Sequence, residues 1–279
     1  MKKILITGAN SYIGTSFEKY IKENYPNDYC IDTVDMIDGS WREKSFAGYD
    51  CVFHVAGIAH QKETKKNAYL YYKVNRDLAI ETANKAKDDG VKQFIFLSST
   101  SIYGMETGII TKETMPKPKS HYGKSKWQAE QGIMPLQDKN FKVCILRPPM
   151  VYGKDCKGNF QTVVRIVKKS PVFPKVNNKR SMIYIDNLSS FVKDCTDHDL
   201  SGIFFPQNNR YLSTVDLAQG IGEAINKKIY FDYITVVGVL VLRCFHPMVK
   251  KAFGTLIYDI DDTKEYCVSS NMDSIRRSV

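Results

Sequence analysis

Tyr122 and Lys126 stand four residues apart in Tyr122-Gly123-Lys124-Ser125-Lys126. On a helix that spacing puts both side chains on one face. A phenol with its ordinary pKa of about 10 is a poor base at neutral pH. A neighbouring ammonium favours the phenolate and draws that pKa down, which makes the pair a candidate acid/base. Such a string arises readily by chance in a chain with 17 tyrosines, so its surroundings decide its weight. Upstream, the apolar run Phe94–Leu97 ends in Ser98, Ser99, Thr100 and Ser101. Hydroxyls at the C-terminal end of a buried strand lie where open α/β sheets hold their ligands. Near the start, Thr7-Gly8-Ala9-Asn10-Ser11-Tyr12-Ile13-Gly14 follows an apolar run directly. A glycine-rich turn there aims backbone N–H groups and a helix N-terminus at a pyrophosphate. Gly8 would permit the tight turn and Gly14 would let the helix pack closely on the strand.

The elements that must position these groups alternate. Lys3–Thr7, Tyr29–Val34, Cys51–Val55, Gln93–Leu97 and Lys142–Leu146 read as short apolar strands. Ile13–Asn24 and Tyr69–Lys87 carry helical spacing, and a further helix begins near Tyr122. Strands alternating with helices predict an α/β, Rossmann-type, doubly wound parallel sheet. Past Pro148-Pro149 the pattern loosens, and Pro171, Pro174 and Pro206 mark irregular connections. The expectation is a dinucleotide-binding domain over residues 1–150 and a smaller substrate-binding lobe over 151–279. A segment near 181–195 should return to the first domain, with Ser181–Ile185 as a strand rejoining its sheet.

Bulk properties narrow the classes. Hydrophobic residues at 43% and charged residues at 25% exclude disordered and fibrous chains. The leading apolar run is too short for a secretion signal, and Ile234–Leu242 is roughly half a membrane span. That stretch reads as a buried helix or strand. Seven cysteines are scattered without a C-x-x-C pair, so neither a disulfide framework nor a metal site is expected, and a cytoplasmic location is. The net charge of +10 is accounted for by an anionic small substrate, since no nucleic-acid motif accompanies it.

At these motifs the chain resembles the extended short-chain dehydrogenase/reductase family, in its NAD-dependent epimerase/dehydratase branch. The glycine turn resembles the family's G-x-x-G-x-x-G, with Ser11 in place of the middle glycine. Its Cβ crowds the backbone approach, while its hydroxyl could donate to a phosphate. The stretch from Gly8 to Ala56 is short for the family, leaving room for one strand fewer. The resemblance implies NAD held by Gly8, Asn10, Ser11, Tyr12, Ile13, Gly14, Ala56, Asn75, Tyr122, Lys126 and Pro148. It places the active-site hydroxyl at Ser99, four residues before Tyr103-Gly104, and has Asn75 supporting the lysine. His54-Val55-Ala56-Gly57 resembles the family's strand end near the cofactor, with His54 structural. Asp35, at the end of the second strand, would take the ribose hydroxyls and favour NAD; Arg42 close behind would instead serve the 2′-phosphate of NADP.

Arg147-Pro148-Pro149-Met150-Val151-Tyr152-Gly153 looks like the R-P-x-x-V-Y-G segment of nucleotide-sugar enzymes. Beyond it, Asn159 and Arg180 fall in segments similar to those that hold a nucleotide diphosphate. Thr100 and Ser101 stand where dehydratases of the family carry Asp-Glu, which argues against dehydration. Two reactions remain open: NAD-dependent 4-epimerisation of a UDP-sugar, and NAD(P)H-dependent reduction of a nucleotide-linked 4-keto-6-deoxy sugar. Both use Ser99, Tyr122 and Lys126, and both are compatible with a homodimer. A non-catalytic dinucleotide-binding scaffold or sensor is the reading from another class, disfavoured by the presence of both Tyr122 and Lys126.

Overall fold

The computed structural model describes residues 1–59, 61–233, 236, 247–259 and 265–279. The apolar stretch 234–242 lies outside them apart from residue 236. The chain divides into two compact units. Unit 1 comprises Met1–Gly104, Met115–Pro148 and Leu188–Pro206; unit 2 comprises Met105–Thr114, Pro149–Asn187 and Gln207–Val279.

Unit 1 is built on six parallel strands: β1 (Lys2–Thr7), β2 (Tyr29–Val34), β3 (Cys51–His54), β4 (Gln93–Leu97), β6 (Lys142–Leu146) and β10 (Gly202–Phe204), in the order β2-β1-β3-β4-β6-β10. The chain leaves β1 for β2 on one side and returns for β3 on the other, so the order reverses between β1 and β3. Open α/β sheets bind ligands in the crevice outside such a switch point. β2 forms the edge, and no described strand lies beyond it, in keeping with the short Gly8–Ala56 stretch. Every residue of β3 and of β4 is buried, as strands covered on both faces must be. One face carries Leu5, Val52, Phe94, Phe96, Val143 and Ile145, packed with Ala79, Ala83, Ala129 and Ile133. On the other face, α1 (Tyr12–Asn24) buries Phe17, whose ring meets Phe53 edge-on at 5.3 Å.

The helical pattern of Tyr69–Lys87 is not one regular helix. α2 (Ala68–Tyr72) passes through a π-helical turn, Lys73–Asp77, into α3 (Leu78–Asp88). Wide turns of this kind re-aim side chains and cluster at functional positions; here the turn delivers Asn75, fully buried, into the core. α4 (His121–Ile133) carries Tyr122 and Lys126.

Unit 2 consists of small two-stranded sheets and helices. β5 (Gly108–Ile110) pairs with β12 (Leu256–Tyr258), β8 (Val172–Pro174) with β11 (Tyr230–Asp232), and β7 (Met150–Tyr152) with β9 (Met182–Tyr184). The strand expected over Ser181–Ile185 therefore does not rejoin the main sheet. It is β9, and Val151↔Ile183 pairing holds it in unit 2. The segment that returns is Leu188–Pro206, whose β10 pairs with β6. α5 (Asn159–Lys169) buries Phe160, Val163, Val164 and Val167. Among the described residues no helix is long and apolar enough to cross a membrane.

The β1–α1 turn depends on Gly8. Its φ is +100°, and a Cβ there would stand 2.8 Å from the backbone N and Cα of Ala56. Gly8→Ala is expected to cost roughly 1–3 kcal/mol, the usual toll of a side chain in a glycine-only conformation, before any clash with Ala56. Thermal melting checks this; an unchanged midpoint would show that the Ala56 backbone yields freely.

Candidate active site

The turn between β1 and α1 is closed from three sides. The N–H groups of Gly8 and Ala9 donate to Val34 O at 2.9 and 3.2 Å, tying the turn to the end of β2. Asn10 adopts the left-handed conformation at φ 64°, and Ser11 is the N-cap of α1. Tyr12 and Ile13 open the helix with half-buried side chains. Ser11 Oγ accepts the Gly14 N–H at 3.2 Å, which leaves the hydroxyl's own proton to donate elsewhere. At Gly14 a Cβ would meet Ser11 Oγ at 2.7 Å and Ile6 at 3.0 Å. This turn, and the leading N–H groups of α1 that lack intrahelical acceptors, fit the pyrophosphate of a dinucleotide.

Asp35 follows β2 directly, exposed, with Oδ1 accepting from Ile37 N at 2.8 Å. Asp32 accepts from the Tyr49 phenol, and Asp38 is closed in a turn with Ser40. Arg42 is committed elsewhere. Both faces of its fork engage Glu81, and its guanidinium stacks 4.7 Å from the Trp41 ring centre.

The other groups gather at the C-terminal ends of β3, β4 and β6. Ser99 Oγ accepts the Ser101 N–H at 3.1 Å and donates to Ser101 Oγ at 3.2 Å, and its hydroxyl lies near enough to the Tyr122 phenol to influence its ionisation. Burial holds the Tyr122 pKa above the ordinary phenol value; the Ser99 hydroxyl opposes that rise, and neighbouring Tyr71 adds to it. The lowering expected from Lys126 is not found, because its ammonium is turned into the core. Nζ donates to Leu97 O at 2.8 Å and sits 4.6 Å from the Phe96 ring centre. Burial lowers the Lys126 pKa to about 8, against an opposing contribution from Glu130.

Asn75 supports this arrangement through the main chain. Its amide accepts from Ile58 N at 2.7 Å, donates to Ile58 O at 3.0 Å and reaches Ser125 Oγ at 3.3 Å. Gly57 lies over it: a Cβ there would come within 3.0 Å of Asn75 Oδ1 and 3.5 Å of Lys126 Nζ. Ala56 is buried against Gly8, and Pro148 O accepts both the N–H and the hydroxyl of Thr100. His54 is wholly buried, with Nδ1 2.8 Å from Thr7 Oγ1 and its ring stacked near Phe94 and Phe96. Burial, aided by the Lys126 charge, pushes its pKa down to about 3, so it stays neutral and structural.

One helical turn past Lys126, Glu130 is buried in a charge cluster. It forms a two-pronged pair with Arg147, at 2.6 Å for Nη2–Oε2, and accepts from the Ser98 hydroxyl. Arg147 Nη1 donates to the Tyr103 phenol at 2.8 Å. A buried carboxylate of this kind needs both charge and hydrogen bonds returned to it, and here the returns come from the residues on either side of the serine loop.

Of the residues assigned to the substrate, Ser99 lies in unit 1, and Asn159 and Arg180 lie in unit 2. Asn159 is exposed at the start of α5. Arg180 bridges to Leu212 through its main chain, and its Nη1 donates to Gly254 O at 2.9 Å. Burial lowers the Arg180 pKa, and among the described residues no carboxylate pairs with it.

Residues 4–198 match the NAD dependent epimerase/dehydratase family. The chain belongs to that family. A UDP-glucose 4-epimerase of Vibrio cholerae is 30% identical over 95% of this chain and 89% of its own. An N-acetyl-alpha-D-glucosaminyl-diphospho-ditrans,octacis-undecaprenol 4-epimerase of Escherichia coli O157:H7 is 24% identical over 98% and 88%. Among solved structures, a UDP-glucuronic acid 4-epimerase from Bacillus cereus in complex with NAD superposes with a TM-score of 0.73, at 18% identity over 99% and 97% of the two chains. The protein is thus an NAD(P)-dependent enzyme of the epimerase/dehydratase family.

For this family member the sequence reading missed three residues that shape the site. At Gly123 a Cβ would lie 2.5 Å from Ser101 O, so only glycine lets α4 approach the serine loop this closely. Glu130 was detectable as a carboxylate four residues beyond Lys126 on an otherwise core-facing stripe. Glu63, from the loop after β3, accepts the N–H groups of His121 and Tyr122 at 2.9 and 3.0 Å. No local signal in Lys62-Glu63-Thr64-Lys65-Lys66 marks it.

The Lys126 shift carries a stability consequence. The folded chain releases this proton near pH 8, the unfolded chain near the ordinary 10.5. Between those values the unfolded chain binds more protons, so stability rises with pH there, and below pH 8 the ammonium disfavours folding. Lys126→Met is expected to melt higher at pH 7 and to lose the rise between pH 8 and 10.5. Melting curves across pH check this; a lower midpoint at pH 7 would mean the contacts to Leu97 and Phe96 outweigh the cost of burial.

Proposed function

We propose that this protein is an NAD-dependent 4-epimerase of a UDP-sugar. The observation that carries the reading is that Ser99, at the end of β4, acts on the phenol of Tyr122, on a helix whose buried Lys126 lies close to Gly57, next in the chain to the residue that packs against Gly8. Tyr122 takes the proton of the sugar's C4 hydroxyl and later returns it, while Ser99 hydrogen-bonds the same oxygen and stabilises its developing charge. When bound, NAD supplies the place to which the C4 hydride goes and from which it returns. Ser99 and Tyr122 would hold the oxygen at C4 while the sugar turned over between its two faces, and Tyr122 would return the proton to that oxygen. Gly8, Asn10, Ser11, Tyr12, Ile13 and Gly14 hold the pyrophosphate, Asp35 the adenosine ribose, and Lys126 the nicotinamide ribose. Ala56, Asn75 and Pro148 frame the nicotinamide end.

The phenol of Tyr122 begins above its ordinary pKa. A positively charged nicotinamide ring bound beside it would favour the phenolate. Arg42, engaged by Glu81, is poorly placed to serve a 2′-phosphate, which supports NAD over NADP and the epimerase over the ketoreductase. A partly buried guanidinium without a described carboxylate partner suits a diphosphate, and Arg180 is the clamp in this reading, with Asn159 beside the nucleotide. The free state of all six described cysteines supports a cytoplasmic location.

Three experiments test this. Mass spectrometry of the purified protein should find bound NAD, and UDP-glucose should convert to its C4 epimer, with Tyr122→Phe cutting turnover by roughly a hundredfold or more. Preferential NADP(H) binding with no interconversion of UDP-sugars would point to the ketoreductase, and near-normal turnover in the Phe variant would remove the acid/base assignment. Arg180→Ala should weaken UDP binding roughly tenfold to several hundredfold, since charge-assisted hydrogen bonds are individually strong. Calorimetric titration reads this, with NAD affinity unchanged as the control; unaltered UDP affinity would make Arg180 a structural residue only.

A further inference from the structure

We propose that Glu63 is a positioning residue for Tyr122: its carboxylate clamps the first two N–H groups of α4 to the loop leaving β3, and holds a negative charge at that helix end. This rests on the reading of Tyr122 as the acid/base.

The leading N–H groups of a helix have no intrahelical acceptor. In α4 the Gly123 N–H is taken locally, by the Ser120 hydroxyl at 3.0 Å. Those of His121 and Tyr122 go to Glu63, one to each carboxylate oxygen, at 2.9 and 3.0 Å. The cap thus comes from a distant loop, and the residue it holds by the backbone is Tyr122 itself. Around Glu63 the loop is pinned. Gln61 O accepts from the Tyr71 phenol at 3.2 Å, Thr64 N donates to Asn67 Oδ1 at 2.8 Å, and Asn67 donates to Lys62 O at 3.0 Å.

At the near end of the same loop, Asn75 grips Ile58 by both main-chain groups and reaches Ser125 of α4. The loop is therefore fastened to α4 twice, through Ser125 and through Tyr122. The Ala56–Ile58 backbone that faces the cofactor turn and the helix that carries the phenol behave as one preorganised piece. A small displacement of a reacting group is costly to rate, which gives the second fastening its function.

The charge has its own consequence. The positive end of a helix favours an anion, so a bare α4 N-terminus would promote the Tyr122 phenolate. Glu63 offsets that end and favours the neutral phenol. The groups acting on the Tyr122 phenol are Ser99 from the strand-end loop and Tyr71 from α2, and Tyr71 itself feels the Glu63 charge. On its own helix stand Lys126, one turn on, and His121, whose Nδ1 is 3.0 Å from the Tyr72 phenol. Of these, Glu63 is the anion bonded to Tyr122's backbone.

The test uses the full-length chain with Glu63→Gln, which keeps side-chain volume and one acceptor oxygen, and Glu63→Ala, each also in a Tyr122→Phe background. Tyrosinate absorbance, taken as the difference between each protein and its Tyr122→Phe counterpart at low salt, isolates the Tyr122 titration. Glu63→Gln should lower that midpoint by on the order of half a unit, the size of a charge–helix-end interaction. Amide hydrogen exchange should accelerate at His121 and Tyr122 in Glu63→Ala. Turnover of UDP-glucose should fall roughly tenfold to a hundredfold in Glu63→Ala with NAD affinity unchanged. An unshifted or raised midpoint in Glu63→Gln, or unaltered exchange at the two amides, overturns the proposal. If Glu63→Ala does not fold, the Gln titration alone decides it. Near-normal turnover in Tyr122→Phe would defeat the acid/base reading, while titration and exchange would still judge the Glu63 clamp.

Discussion

An ammonium group sits almost fully out of water beneath the cofactor side of the sheet, and the architecture around it follows from keeping it there. Lys126 is 4% exposed. Burial alone would drive off its proton, so each neighbour supplies part of what water would. Leu97 contributes a carbonyl at the end of β4, Phe96 a ring face, and Glu130 a charge one turn along the helix. Glu130 in turn would be untenable without Arg147 and the Ser98 hydroxyl. Arg147 is set at the end of β6 and leans on Tyr103. A single buried cation thus fixes the relation of β4, β6, α4 and the serine loop, the elements that bear Ser99 and Tyr122.

The same constraint explains why small and amide side chains surround the site. Gly57 and Gly123 are positions where a methyl group would strike Asn75 or Ser101. Gly123 lets α4 approach the main chain of the serine loop, and Gly57 leaves room for the side chains of Asn75 and Lys126. Asn75 fits because an amide can satisfy a carbonyl and an N–H at once, and it does both for Ile58. The wide turn at Lys73–Asp77 has its local reason here: it rotates Asn75 inward while α3 still presents Ala79 and Ala83 to the sheet.

Much of unit 1 was legible because its signals are local. β4 and β6 span the residues their apolar runs predict, since strands covered on both faces read as near-continuous apolar runs, and β2, the half-exposed edge strand, also spans its predicted residues. The glycine turn and the Tyr122–Lys126 spacing were legible for the same reason. What escaped was decided by distant partners. Ser181–Ile185 has strand chemistry whichever sheet it joins, and only pairing with Met150–Tyr152 settles that it stays in unit 2. Gly108–Ile110 gives no sign that it leaves unit 1 to pair with Leu256–Tyr258. Glu63 looks like one more charge in a polar loop, and its role exists only because the N-terminus of α4 is brought to it. The Tyr122–Lys126 spacing placed both groups on one helix but could not say that the ammonium would turn toward Leu97.

Ser11 shows how a departure from a family pattern can be consistent with its physics. A glycine is required where the backbone needs positive φ or where a Cβ has no room. Ser11 has φ −72° and ψ 141°, ordinary extended geometry, so conformational freedom is not at issue. The positive φ falls instead on Gly8 and on Asn10, a residue type that tolerates the left-handed region. With the strain moved to its neighbours, Ser11 is free to act as an N-cap, a position where serine is strongly favoured, and its hydroxyl closes on the Gly14 N–H. The side chain that replaces the middle glycine therefore stabilises the first turn of α1, and its hydroxyl keeps a proton to donate. The helix N-terminus, rather than any one glycine, is what would supply such a turn's attraction for phosphate.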